Sequence, residues 1–389
     1  MARMKGPTGD SHEGRPTDGV RLVNPDIARG STVLFPDYAA FTAKTRPFSY
    51  GRGGTSTHDA LAESVAALEE ADHVVLAPSG LCAVTLALMS FAEAGSHILV
   101  TDSAYDPTRS FCDGVLRRMG VETTYYDPLI GGGLAELVRP ETRAVLAESP
   151  GSLTFEVQDL PAIIAAAGEV PVIVDNTWSA GVHFKPLRMG AAVSVQAATK
   201  YLGGHSDLLM GTLACSAGAA RLVERTARLI GISVAASDAA LMHRGMRTLH
   251  RRLAVHEATG LALARWLEGR EEIARVLHPA LPSHPQHGVW ARDFTGASGL
   301  FAAELARGDE AYIAAFCDAL RLFGMGYSWG GYESLCIPTW PERNRTATQW
   351  KAKGRMLRLH AGLEDEEDLI ADLDAAFARA NAVPPQGKP

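Results

Sequence analysis

Cysteine is scarce: Cys82, Cys112, Cys215, Cys317 and Cys336 in 389 residues form no CxxC pair and are too few for a disulfide framework. That usage fits a reducing compartment. No stretch reaches the ~18 consecutive apolar residues of a membrane span, and Met1–Gly19 lacks the apolar core of a secretory signal. A cytoplasmic chain with no membrane partner is expected. Positive charge is short as well: 37 Lys+Arg face 44 Asp+Glu, a formal net charge of −7. A nucleic-acid partner, which would want a concentrated basic surface, is not expected. Apolar material is plentiful at 47% of residues, enough to exclude disorder as the main state, and the length suggests two or three domains.

Met1–Gly19 and Ala382–Pro389 read as tails. Between Pro25 and Thr57, Gly, Thr, Pro and aromatics alternate without periodicity, which predicts an extended arm. From His58 to Ala71 an amphipathic helix is predicted, with Leu61, Val65, Leu68 and Ala71 on one face. Short apolar runs follow at His73–Ala77, Ile98–Thr101, Ala144–Ala147, Val170–Asp175 and Val193–Ala197, separated by helical stretches. Runs apolar on both faces suit parallel strands covered by helices, so an α/β layer is expected from about His58 to Arg247. Beyond Arg247 the texture changes to a long helical stretch, Leu249–Ala274, then shorter runs and a final helix from Glu366 to Ala380. Leu369, Leu373 and Phe377 line one face of that helix, and a smaller α+β domain is expected.

In open sheets of this kind ligands gather at the carboxyl ends of the strands. One strand ends in Asp175, which could pair with a cationic ring nitrogen, bind a metal, cap a helix or form a salt bridge. Another leads to Lys200, just before Gly203-Gly204. A partly desolvated lysine can act as nucleophile or base; it can also snorkel out or bind phosphate as a point charge. Asp followed by Lys on neighbouring strand ends is a recognised pairing for pyridoxal phosphate. Ser79-Gly80-Leu81 opens a helix and could present backbone N–H groups to a phosphate, or could be a plain cap. Tyr105 could stack on a planar heterocycle or pack in the core.

Eight motifs then line up in one order: Tyr50-Gly-Arg52, Ser79-Gly80-Leu81, Ala104-Tyr105-Asp-Pro-Thr, Glu148-Ser-Pro-Gly-Ser152, Asp175-Asn-Thr177, Gln196-Ala-Ala-Thr-Lys200-Tyr, Ser328-Trp-Gly-Gly-Tyr-Glu-Ser and Arg358-Leu-His-Ala-Gly-Leu-Glu-Asp. Together they resemble the Cys/Met-metabolism (trans-sulfuration) family of pyridoxal phosphate (PLP) enzymes, from about Asp26 to Ala380. Glu-Ser-Pro-Gly-Ser, Gln-Ala-Ala-Thr-Lys and Ser-Trp-Gly-Gly bring the chain nearest to the bacterial cystathionine β-lyases within that family.

The resemblance implies a fold type I PLP-dependent transferase. Such a fold has a mostly parallel seven-stranded sheet sandwiched by helices and a smaller α+β C-terminal domain. It implies residues 1–57 as an arm reaching a neighbouring subunit, 58–247 as the cofactor domain and 248–389 as the C-terminal domain. PLP would be held by Ser79, Gly80, Leu81, Tyr105, Asp175, Thr177, Thr199 and Lys200, with Tyr50 and Arg52 coming from the neighbouring subunit. Lys200 would bond to the cofactor and move protons, with Tyr105 beside it, and no metal is expected. Arg358, Ser328, Trp329 and Tyr50 would bind the substrate. A homotetramer, a dimer of dimers, is implied. The implied activity is carbon–sulfur β-elimination from cystathionine or a related S-substituted cysteine in methionine metabolism. The alternatives are γ-elimination or γ-replacement, or a non-catalytic PLP-binding regulator. Similar lyases commonly carry a second arginine after the one at Arg52; this chain has Gly53, which leaves the choice of substrate open.

Overall fold

The computed structural model describes residues 4, 6–17, 19, 20, 22–43 and 48–384. The segment read as an N-terminal tail forms a helix, α1 (Gly6–His12). It is docked by Arg247, whose Nη1 donates to the Asp10 and Glu13 carbonyls at 2.8 Å each, and by His250, 2.8 Å from the Asp10 carboxylate. The arm from Pro25 is mostly irregular, with a short helix at Tyr38–Ala43 and a turn at Gly51–Gly53. A Cβ at Gly51 would lie 1.8 Å from the Gly30 carbonyl oxygen, so only glycine lets these two strands of the arm touch. Residues 44–47 and 385–389 lie outside the described residues.

Helix α2 (Ser56–Glu69) begins and ends two residues ahead of the predicted His58–Ala71, its first turn fixed by the Thr55 N–H donating to His58 Nδ1 at 3.0 Å. Seven strands follow: β1 (His73–Ala77), β2 (His97–Thr101), β3 (Glu122–Tyr126), β4 (Thr142–Glu148), β5 (Val172–Asp175), β6 (Val193–Gln196) and β7 (Gly211–Cys215). They form one sheet in the order β1-β7-β6-β5-β4-β2-β3, in which only β7 runs against its neighbours. All residues of β2, β6 and β7 are buried, as strands covered on both faces require. Helix α3 (Gly80–Phe91) crosses from β1 toward β2 and buries Ala83, Val84, Leu86, Ala87 and Leu88 against the sheet.

Helix α4 (Leu249–Glu268) stops short of the predicted Ala274, because Gly269 caps it and the chain turns into a second sheet. That sheet has the order β10-β11-β9-β8, all antiparallel, from β8 (Ile273–Leu277), β9 (Leu300–Leu305), β10 (Leu335–Thr339) and β11 (Met356–His360). Helix α5 (Glu366–Asn381) closes its core with Leu369, Leu373 and Phe377, all 0% exposed, beside Phe301 and Phe316. Among the described residues no helix is long and apolar enough to cross a membrane, and all five cysteines are free.

Candidate active site

A cavity of about 810 Å³ opens at the carboxyl ends of β1, β2, β4, β5 and β6 and is roofed by the segments on either side of β10. At its floor, β1 ends and α3 begins. The Ser79 hydroxyl accepts from the Cys82 N–H at 3.1 Å and so caps the helix. A Cβ on Gly80 would sit 2.3 Å from the Ala197 side chain, so glycine lets this helix start lie directly on the loop that leads to Lys200. Leu81 and Thr199 line the same end of the cavity. The Thr199 hydroxyl is fixed against Met210, donating to its carbonyl at 3.2 Å and accepting its N–H at 3.0 Å. A helix N-terminus with small residues and open backbone donors is a ready anion site.

Asp175 ends β5 inside the cavity. Burial pushes its carboxyl up, opposed by hydrogen bonds from the Thr177 N–H (3.0 Å) and hydroxyl (2.5 Å) and by the charge of Lys200. Thr177 also accepts the Ala197 N–H at 2.9 Å, tying the Asp175 strand end to the lysine loop. Behind this edge the fully buried Glu69 accepts from the Ser194 hydroxyl at 3.2 Å and from the Gln196 amide, bracing β6. Beside Asp175 in the sheet register stands Glu148, pushed well above the usual carboxylate range by burial and by Asp175 itself. A charge on Asp175 disfavours a charge on Glu148. Its Oε2 accepts the Tyr105 N–H at 2.7 Å, which aims the half-exposed Tyr105 ring at the cavity.

Lys200 Nζ donates to the Ser328 hydroxyl at 2.7 Å and lies 5.3 Å from the centroid of the Trp329 ring. Burial and the nearby Arg358 charge push its amine down to about 8, against an opposing pull from Asp175. Arg358, on β11, donates from Nη2 to the Ser328 carbonyl at 3.0 Å, and burial lowers it to about 10. Ser328 is held at φ +83, which few L-residues adopt, and from that conformation one residue touches both cations.

Tyr50 and Arg52 do not join this cavity: Tyr50 is 50% exposed, and Arg52 lies over its ring at 5.3 Å. His183, His205, His243 and His278 do not line this cavity. His243 bonds the Ser64 hydroxyl (2.9 Å) and His205 the Gly203 carbonyl (2.7 Å), while burial pushes His183 down to about 4 and His278 to about 3. The roof segment Trp340–Thr348 was not anticipated from sequence. Buried Asp102 accepts from the Thr346 N–H (2.9 Å), the Thr348 N–H (2.8 Å) and the Thr348 hydroxyl (2.7 Å), and Arg345 pairs with Glu156 at 2.8 Å. The cluster of donors in Arg345-Thr-Ala-Thr348 was the one signal available.

The residues suit a phosphorylated pyridine aldehyde. An amine of lowered pKa, a carboxylate at a strand end, an aromatic ring and an open helix N-terminus face one another across a single space. Residues 8–378 match the family model described as Cys/Met metabolism PLP-dependent enzyme. Cystathionine beta-lyase MetC of Escherichia coli (strain K12) is 45% identical over 370 residues, covering 92% of this chain and 94% of its own. An L-alanine/L-glutamate racemase of Wolbachia pipientis wMel is 37% identical over 378 residues, 92% and 93% of the two chains. Among solved structures, cystathionine gamma synthase from Xanthomonas oryzae pv. oryzae in complex with cystathionine superposes with a TM-score of 0.89 at 30% identity, covering 97% of this chain and 98% of its own.

Proposed function

The chain belongs to the Cys/Met metabolism PLP-dependent enzymes, and we propose that it cleaves cystathionine or a related S-substituted L-cysteine to a thiol, pyruvate and ammonia. It is a PLP-dependent carbon–sulfur β-lyase acting on a small amino acid. The observation that carries the assignment of roles is the chain of contacts Arg358–Ser328–Lys200, which sets a carboxylate clamp and a base side by side.

Bound PLP supplies an aldehyde that captures the substrate amine and a protonated ring that accepts charge from Cα. The helix start at Ser79, Gly80 and Leu81, with Thr199, would hold its phosphate. The carboxylate of Asp175, positioned by Thr177, would pair with the ring nitrogen, and the Tyr105 ring would stack on the heterocycle. Arg358 takes the substrate α-carboxylate with its guanidinium fork, which fixes the orientation of the Cα–H bond. Lys200 Nζ, neutral above about pH 8 and steered by the Ser328 hydroxyl, removes the Cα proton and returns a proton to the departing sulfur. The Trp329 ring lies beside this amine, 5.3 Å away at its centroid. Water then hydrolyses the three-carbon product to pyruvate and ammonia.

Tyr50 and Arg52 complete the phosphate site of a neighbouring subunit in this reading, within a dimer of dimers. Their position away from the chain's own cavity supports it. Residues 1–57 then form the arm, with α1 docked on its own chain and Tyr50 and Arg52 reaching the neighbour, 58–247 the cofactor domain and 248–389 the C-terminal domain. Five free thiols support a cytoplasmic setting. Likeness to a γ-synthase structure and to a racemase names the two rival outcomes. Product analysis with L-cystathionine, L-cystine and S-alkylcysteines tests the reading. Pyruvate supports β-elimination; 2-oxobutyrate, or D-amino acid without pyruvate, refutes it.

A further inference from the structure

Three guanidinium groups line the cavity, and their partners differ. Arg345 is neutralised by Glu156 at 2.8 Å and is nearly buried. Arg358 has a carbonyl partner, and neither it nor Arg343 has a carboxylate partner among the described residues. Arg343 ends the turn Pro341–Arg343 directly after β10, its guanidinium carbon 4.8 Å from the centroid of the Trp340 ring. Stacking uses the face of a guanidinium and leaves its edge donors open to a carboxylate.

The segment that carries Arg343 is anchored. Asp102, 1% exposed, takes the backbone and hydroxyls of Thr346 and Thr348, and Arg345 is bonded to Glu156 between those anchors and the turn. A cation presented on a fixed segment needs little further ordering to bind an anion. The sheet also sets where the turn that carries Arg343 begins relative to Arg358. Ile337 of β10 faces Arg358 of β11, and three residues at ~3.3 Å each bring the chain roughly 10 Å onward to Trp340. Both Arg343 and Arg358 line the one cavity, so a ligand with a carboxylate at each end can lie between them.

We propose that Arg343 is a specificity-determining residue: it receives a carboxylate at the far end of the S-substituent while Arg358 holds the α-carboxylate. The inference rests on the β-lyase reading above. It assigns the distal cation to the chain's own roof segment rather than to the arm, where Gly53 supplies none.

The test compares S-(3-carboxypropyl)-L-cysteine with the neutral S-butyl-L-cysteine, using the PLP-loaded enzyme and its Arg343→Gln and Arg343→Lys variants. Loss of one charge-assisted contact is expected to lower kcat/KM for the carboxylate substrate by about 10- to 100-fold. Turnover of S-butylcysteine should stay within about twofold, and the lysine variant should recover part of the loss. Calorimetric binding of L-2-aminosuberate, which has the same spacing but no leaving sulfur, should weaken in parallel. Equal losses on both cysteines, or an unchanged preference and unchanged aminosuberate binding in Arg343→Gln, would overturn the assignment. If the native enzyme forms pyruvate from neither cysteine, the β-lyase reading fails, and this inference fails with it.

Discussion

Ser328 stands between two cations: its hydroxyl accepts from Lys200 Nζ at 2.7 Å, and its carbonyl accepts from Arg358 Nη2 at 3.0 Å. One backbone position, held at φ +83, therefore couples the proton-moving amine to the group that holds the substrate carboxylate. The coupling matters because β-elimination needs the base on the Cα–H bond while the carboxylate is clamped.

Replacing Ser328 with alanine is expected to leave PLP binding intact and to lower kcat by about 10- to 100-fold, since the amine loses its steering partner. Absorbance titration with PLP and steady-state pyruvate release report the two effects separately. Weakened PLP binding with unchanged kcat would place Ser328 in the cofactor site instead.

The lowered pKa of Lys200 has a measurable consequence in the cofactor-free protein. Burial and Arg358 disfavour the charged amine, so the nucleophilic neutral form predominates above about pH 8 and is lost below it. The rate of PLP incorporation is expected to rise about tenfold per pH unit below that value and to level off above it. A rate still climbing past pH 10 would show an ordinary, solvated lysine.

Asp175→Asn should bind PLP yet lose turnover by about 10²- to 10³-fold, because an amide cannot hold the ring nitrogen in its protonated form. Thr177→Val removes the 2.5 Å hydroxyl bond and also an acceptor for the Ala197 N–H, and a smaller loss is expected. Rates are to be compared at saturating PLP. A Thr177→Val loss equal to that of Asp175→Asn would assign the work to the loop rather than to the carboxylate.

Most of the site was readable because its residues follow strands whose apolar runs are unmistakable. Asp175, Lys200 and Ser79-Gly80 lie at or just beyond the ends of such runs. Two strands of the same sheet were missed for local reasons. β3 is Glu-Thr-Thr-Tyr-Tyr at an edge, where only Tyr126 is deeply buried, so it lacks the continuous apolar signature. β7 begins at Gly211, which reads as a breaker; the structure shows why it is there, since a Cβ would lie 2.4 Å from the Ser79 carbonyl oxygen. The docking of α1 and the Asp102 anchor depend on partners more than 230 residues away, a distance over which spacing carries no information.

The arm can be tested by complementation. Arg52→Ala and Lys200→Ala should each be nearly inactive alone. If Arg52 serves a neighbouring subunit, unfolding and refolding the two together should recover about one quarter of native activity, because mixed dimers hold one intact site. Continued inactivity of a mixture shown to contain mixed dimers would confine each site to one chain.

The central claim is that Lys200 bears the cofactor, and borohydride reduction of the PLP-loaded protein followed by peptide mapping tests it most directly. One pyridoxyl phosphate increment is expected, on Lys200 and absent from Lys200→Ala. Stoichiometric labelling of another lysine, or none at all in an active preparation, would contradict it.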